Sequence, residues 1–282
     1  MGQLTDRVLR FLYSRYVPRP VRNPLRLHLE LLRREAVPEI VRAPEASRVL
    51  VLAPHIDDEV FGCGGTLTAC AAGGSEVVVT YLTDGSKGYI QDSVSRLRDS
   101  EIRSLEAELV ATRKEEARRA GKILGLSEPI FLDLPDGALA LTPEAVGRLA
   151  GVLHRVTPDV VYLPFLTDLH PDHWMTNCLF VEAARVAGLD PAVRCWGYEV
   201  WVPLVANTLV DITGVIEAKL RAMQEFASQT SDVDYPRAII GLNAYRSILS
   251  GQGHGFAEAF YLADFALYRG LYETVAIGRR GR

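Results

Sequence analysis

Two short stretches hold the side chains equipped for chemistry. In Arg48-Val49-Leu50-Val51-Leu52-Ala53-Pro54-His55-Ile56-Asp57-Asp58-Glu59 an apolar run ends in a histidine and three carboxylates, and in His170-Pro171-Asp172-His173 two histidines flank a proline and an aspartate. Side chains two apart in extended backbone share a face while neighbours diverge, so the adjacent Asp57 and Asp58 are suited to different tasks. One can bind a metal while the other handles protons. A neutral imidazole with a carboxylate is a usual part of a zinc site that keeps an open position, and such a site needs a third ligand from elsewhere in the chain. The second cluster is the obvious donor. Taken singly, each cluster also reads as a helix N-cap with a polar neighbour; together, at two strand ends, they point to a site.

The elements that must position these residues follow from the flanking sequence. Val49 to Leu52 is a short continuous aliphatic run bounded by Pro54, the signature of a buried parallel strand. From Val60 onward Phe61, Thr66, Leu67, Cys70 and Ala71 recur at helical spacing, with Gly62, Gly64 and Gly65 permitting close approach of other backbone. His55, Asp57 and Asp58 are thereby predicted at the carboxyl end of a strand and the amino end of a helix, the crevice where open α/β sheets bind ligands. A second apolar run, Asp159 to Phe165, precedes His170 in the same way. Glu76 to Thr80 and Ile130 to Leu132 are further strands, leading into the loops Tyr81–Gly88 and Asp133–Gly137. Residues 91–124 read as a long charged helix with a solvated face, and Pro143 to His154 as another helix. The alternation predicts a Rossmann-like, doubly wound, mostly parallel sheet with helices on both faces, in one domain. Later, Val193–Trp201 and Leu209–Ile212 are expected as strands, Glu217–Gln229 and Ala238–Leu249 as helices.

Other chemistries fit less well. Gly62-Cys63-Gly64-Gly65 follows a strand and opens a helix, but Leu67 stands where a dinucleotide fingerprint needs a small residue, and acids occupy the turn a pyrophosphate would use. No Gly-x-Ser-x-Gly elbow occurs. The 282 residues, 48% apolar and 23% charged, suit a sizeable core, and a net charge of -4 argues against nucleic acid as a partner. Cys63, Cys70, Cys178 and Cys195 form no Cys-x-x-Cys pair and read as buried free thiols in a reducing compartment. With neither a membrane-span run nor a signal-peptide pattern, the expected location is the cytoplasm.

The stretch Pro54-His55-Ile56-Asp57-Asp58-Glu59-Val60-Phe61-Gly62-Cys63-Gly64-Gly65-Thr66-Leu67 resembles the signature of the LmbE-like, or PIG-L, family of metal-dependent N-acetylglucosamine deacetylases. His170-Pro171-Asp172-His173 is similar to its second motif. The resemblance extends over roughly residues 47–265. Leu82-Thr83-Asp84-Gly85, an Arg-x-x-Glu helix start at Arg113-Lys114-Glu115-Glu116, Ser228-Gln229 and Ala257-Glu258-Ala259-Phe260 fall in the family's order. Ile56 departs from it, since the family usually has proline there, which would pre-set the backbone before the carboxylates.

The resemblance implies a zinc-dependent hydrolase that removes the N-acetyl group from a glucosamine-type sugar or its conjugate. His55, Asp58 and His173 are then the metal ligands, Asp57 the general base and His170 the oxyanion-stabilising donor, with Asp172 orienting His170. Arg113 and Asp136 match positions that contact sugar hydroxyls. Two histidines and one aspartate also suit iron or manganese by ligand type. The alternative reading is a non-catalytic sugar-binding or scaffold protein on the same fold.

Residues 1–45 stand outside the resemblance, as an amino-terminal extension to a deacetylase-like domain over 46–282. Arg7, Arg10, Arg15, Arg19, Arg22, Arg26, Arg33 and Arg34 alternate with Leu4, Val8, Phe11, Leu12, Tyr16 and Leu25, interrupted by Pro18, Pro20 and Pro24. A basic amphipathic segment of this kind suits peripheral contact with an anionic membrane. The preferred expectation is that its apolar stripe packs on the domain or on a second subunit of a homo-oligomer.

Overall fold

Short aliphatic runs assemble into one eight-stranded sheet in the computed structural model, which describes residues 38–89, 97–231, 233–249 and 253–279. In chain order the elements begin with strand β1 (Glu39–Val41), strand β2 (Arg48–Ala53) and helix α1 (Asp58–Ala72). Strand β3 (Glu76–Thr83), helix α2 (Asp99–Leu124), strand β4 (Ile130–Leu134) and helix α3 (Pro143–Val156) follow. Next come strand β5 (Val160–Pro164), helix α4 (Pro171–Ala187), strand β6 (Arg194–Tyr198) and strand β7 (Thr208–Asp211). The chain continues through helices α5 (Ile216–Gln224), α6 (Ala227–Thr230) and α7 (Tyr235–Leu249), then strand β8 (Ala257–Asp264) and helix α8 (Phe265–Arg279).

The strand order is β1-β7-β8-β6-β5-β2-β3-β4. Every pairing is parallel except the two made by β8, which runs antiparallel to both β6 and β7. The sheet is therefore the expected mostly parallel one, with an apolar core on each face. One core gathers Leu50, Leu52, Leu163 and Leu179 between the sheet and α3, α4 and α8. The other gathers Val49, Val51, Val79 and Leu67 beneath α1, α2 and α5. Central strand β2 is buried from Val49 through Ala53, as its unbroken aliphatic run requires. Among the described residues no helix is long and apolar enough to cross a membrane.

Two glycines seat α1 against its neighbours. A Cβ on Gly62 would collide with the Tyr198 ring, and one on Gly65 would lie 2.8 Å from Ile212 Cβ, so the helix approaches β6 and β7 only because those positions are bare. Ile56 is fully buried in the second core, which gives an apolar residue a packing role at the turn where the family has proline.

Several expectations change in detail. The run Glu217–Gln229 is not one helix: it breaks at Phe226, whose backbone leaves helical geometry (φ -83, ψ 54) while its side chain is fully buried. Arg113-Lys114-Glu115-Glu116 lies inside the 26-residue α2 rather than at a helix start. Arg113 and Glu116, three apart, fall on one buried face there. Strands β1 and β8 and helix α8 are additions to the expected elements. β1 lies within the segment read as an extension, yet it pairs with β7 at the sheet edge. The arginine-rich stretch before it, residues 1–37, lies outside the described residues.

Candidate active site

β2 and β5 are hydrogen-bonded neighbours, so the loops after them meet at the carboxyl edge of the sheet. His55 leaves β2 through Pro54, Asp57 is the N-cap residue of α1 and Asp58 its first residue. His170 is the N-cap of α4, with Pro171 at the first helical position and His173 one turn in. The two clusters, more than a hundred residues apart in sequence, are in direct contact.

Three donor atoms form a nearly regular triangle. His55 Nδ1 lies 3.1 Å from Asp58 Oδ2, His173 Nε2 lies 3.2 Å from the same oxygen, and the two nitrogens are 3.3 Å apart. Ligands held at zinc's usual bond lengths in a tetrahedron are about 3.3 Å from one another, so the triangle is one face of such a site. The remaining nitrogen of each imidazole faces a carboxylate. His55 Nε2 is 3.3 Å from Asp172 Oδ2 and 3.5 Å from Asp136 Oδ1. His173 Nδ1 faces Asp168 Oδ2 at 3.3 Å, without the alignment of a hydrogen bond. A proton on the outer nitrogen leaves the inner lone pair for a metal, the usual outer arrangement of metal-bound histidine.

Two further groups, His55 with His170 and His173, and His55 with Asp136 and Asp172, also bring donor atoms within 4.8 Å. The Asp172 oxygens already accept the Gly137 and Leu139 amides, at 2.9 and 3.1 Å. His170 Nδ1 accepts the Asp172 amide at 3.2 Å. Asp58 Oδ2 also accepts one amide, that of His55 at 2.8 Å, but unlike the Asp172 oxygen facing His55 it lies within 3.2 Å of a nitrogen from each of two histidines, and two nitrogens with one oxygen suit a divalent metal.

Electrostatics agree with a cationic occupant. Burial pushes both imidazoles down, yet Asp58, with Asp172 beside His55 and Asp168 beside His173, reverses this, giving about 10 for His55 and about 9 for His173. Burial opposes the charge on Asp58, and the two histidines outweigh it, holding that carboxyl well below its ordinary range. The acids call for positive charge at this point, which a metal ion supplies.

The adjacent carboxylates separate as their spacing requires. Asp57 Oδ2 accepts Arg113 Nη2 at 3.1 Å, and Arg113 also donates to the carbonyls of Gly85 and Ile56. Burial raises the Asp57 carboxyl above its ordinary value, with Arg113 pulling the other way. Among the described residues no hydrogen bond reaches Asp57 Oδ1. Glu59, the third acid of the first cluster, is fully buried and bonded to the Tyr81 hydroxyl, and burial lifts it to about 8. It belongs to the core, not the site.

His55, Asp57, Asp58, Arg113, Asp136 and His170 all line one cavity of about 620 Å³, within the usual size for a small-molecule site. Asp136 Oδ2 accepts the Lys87 amide at 2.9 Å. The expected tie from Asp172 to His170 takes another form: the Asp172 backbone holds His170, while its carboxylate, pinned by two loop amides, serves His55. Asp168 and Trp201 are additions. Asp168 accepts the amides of His170 and Trp201, and the Trp201 ring stacks on His170 at 6.1 Å. Asp168 stands only two residues before His170, so the run from Asp168 to His173 carried the signal; Trp201 reaches the site through a loop whose course the sequence does not reveal.

Fold and cluster together define a Rossmann-like α/β domain with a His/Asp metal-binding arrangement at the carboxyl edge of its sheet. The chain belongs to the PIG-L (LmbE-like) family: the model described as PIG-L, GlcNAc-PI de-N-acetylase, matches residues 50–184. A diacetylchitobiose deacetylase of Thermococcus kodakarensis is 32% identical over 201 residues, covering 66% of this chain and 71% of the relative. The crystal structure of the N,N'-diacetylchitobiose deacetylase of Pyrococcus horikoshii superimposes with a TM-score of 0.67 at 25% identity, covering 79% of this chain and 86% of the other. A 4-oxalmesaconate hydratase of Pseudomonas putida is 29% identical over 241 residues, 76% of this chain and 90% of the relative.

Proposed function

We propose that this protein is a metal-dependent N-deacetylase of a glucosamine-type sugar or its conjugate. The observation that carries the reading is the triangle of His55 Nδ1, Asp58 Oδ2 and His173 Nε2, with sides of 3.1, 3.2 and 3.3 Å, beside a carboxylate that is not part of it. These three residues would hold a zinc ion, which when bound lowers the pKa of water toward neutrality and polarises an amide carbonyl. Iron or manganese suits the same ligands.

The chain's own residues supply the rest. Asp57 lines the cavity with one oxygen bonded to Arg113, and in this reading the other takes a proton from the attacking water. The same carboxyl then delivers that proton to the amine nitrogen as the C–N bond breaks, yielding acetate and a free amino sugar. His170 accepts the Asp172 amide at Nδ1, which puts its proton on Nε2. Burial keeps this ring below its ordinary pKa. A neutral Nε2–H is a donor for the oxyanion that forms at the acetyl carbon. Asp136, fixed by the Lys87 amide, has its second oxygen available for a sugar hydroxyl; Arg113 acts on the sugar only beyond its bond to Asp57.

A hydratase reading, prompted by the Pseudomonas relative, fits the cavity less well. A polycarboxylate substrate favours free basic side chains, and the arginine and lysine that line the cavity among the described residues are each paired: Arg113 with Asp57 and Lys87 with Glu106. Asp57, Asp58 and Asp136 would repel it. The test is acetate release from a panel of N-acetylglucosamine conjugates by the zinc-loaded protein, with and without a chelator. Chelator-sensitive acetate is expected; stoichiometric metal with no acetate from any member would favour the non-catalytic or hydratase reading.

A further inference from the structure

The cavity lining is of two kinds. Its polar part includes His55, Asp57, Asp58 and Asp136 with Lys87 and Gln229, while an apolar wall is contributed by Leu105 and Leu109 of α2, Trp201 of the β6–β7 loop, and Val233, Tyr235 and Ile239 around the start of α7. Trp201 is 55% exposed and Val233 41%, so two large apolar side chains of this lining stand open to water.

The exposure is held in place. Glu199, two residues before Trp201, is buried and pairs with Arg246 of α7 at 3.0 and 2.5 Å. Glu199 also accepts the Leu204 amide, Arg246 donates to the Leu204 carbonyl, and Asp168 accepts the Trp201 amide. Both ends of the loop are tied to buried groups, so the Trp201 ring stands as a fixed platform. It lies edge-on to Tyr235 at 6.4 Å, and Tyr235 packs on Phe61 at 5.7 Å, giving a continuous aromatic path away from His170.

A sugar ring can stack on an aromatic face, but its hydroxyls gain nothing from Leu105, Leu109, Val233 and Ile239, against which they would lose water without a partner. We propose that this wall is a subsite for an apolar chain or ring carried by the amino-sugar substrate. The inference rests on the deacetylase reading and narrows its substrate class to amphiphilic conjugates.

The experiment compares kcat/KM of the zinc-loaded full-length protein on two series. One is methyl, butyl and hexyl N-acetyl-β-glucosaminide; the other is methyl glucosaminide bearing N-acetyl, N-butanoyl or N-hexanoyl groups. In one series each buried methylene is expected to raise kcat/KM about 4-fold, reaching at least about 30-fold at the longest chain, and the series that rises shows which end of the substrate carries the group. Val233→Asp, a change at an exposed position, and Leu105→Gln are expected to cut that ratio by about 10-fold, in keeping with the loss of one or two buried methylenes. Ratios within about 3-fold of unity in both series, less than one buried methylene would give, with methyl N-acetylglucosaminide turned over, would overturn the subsite and leave the deacetylase reading standing. No release from any member would sink that reading and the subsite with it.

Discussion

At the scale of single residues, the account divides neighbours by role. His55→Ala, Asp58→Ala and His173→Ala each remove a corner of the triangle and are expected to lose bound zinc in elemental analysis, whereas Asp57→Asn keeps it. Full metal in His173→Ala with none in Asp57→Asn would reverse the division of the two aspartates. With metal retained, Asp57→Asn is expected to lower kcat by about 10²- to 10⁴-fold with little change in KM, the worth of positioned proton transfer. Arg113→Met leaves Asp57 buried without its cation and is expected to cost about 3–5 kcal/mol by chemical denaturation; a loss below about 1 kcal/mol, the scale of a surface pair, would mean the pair is not buried in solution. The sequence exposed much of this level. His55, Asp57, Asp58, His170 and His173 were legible because polar residues ending an apolar strand have few structural reasons to be there. The partners of Arg113 and the carboxylate of Asp172 were not, since both depend on loops, at Gly85 and at Gly137 to Leu139, that arrive from other strands.

At the scale of elements, α1 is the piece that aims the first cluster, and it is anchored from below. Lys219 of α5 and Glu258 of β8, both fully buried, pair at 2.6 Å; Lys219 also donates to the Phe61 carbonyl and to Asn243, and Glu258 accepts the Gly65 and Thr66 amides. Removing one partner, as in Lys219→Met, is expected to destabilise the fold by about 3–5 kcal/mol in chemical denaturation, with Lys219→Met/Glu258→Gln recovering part of it. A double-variant loss equal to the sum of the Lys219→Met and Glu258→Gln losses would contradict a coupled pair. The strands β2, β3 and β5 were readable from unbroken aliphatic runs such as Val49 to Leu52. The split between α5 and α6 was not, because Phe226 fits a helical pattern and only its burial forces the turn. Strand β8 was hidden for a similar reason: Glu258 interrupts its apolar run with a charge made tolerable by distant partners, Lys219 and the Gly65 and Thr66 amides.

At the scale of the whole molecule, the basic segment before β1 is tested by a cut the fold defines. Deletion of residues 1–37 spares Glu39–Val41, which closes the sheet against β7, whereas a cut at 45 removes that strand as well. Packing of the Leu4, Val8, Phe11 and Leu12 stripe on the domain or a second copy predicts a lower Tm or a changed sedimentation coefficient after the shorter deletion. Vesicle binding made by the full-length chain alone and abolished by salt would instead assign the arginines to an anionic surface, where each is worth about 1 kcal/mol. The larger claim, that two clusters more than a hundred residues apart in sequence make one metal-dependent hydrolytic centre, is tested most directly by titrating zinc into metal-stripped protein while measuring acetate released from the N-acetylglucosamine conjugate of the panel that is turned over fastest. The account predicts no release without metal and a rise to a plateau at one equivalent in the native chain, with no plateau in Asp58→Ala; release that is unchanged by stripping, or that persists in Asp58→Ala, would contradict it.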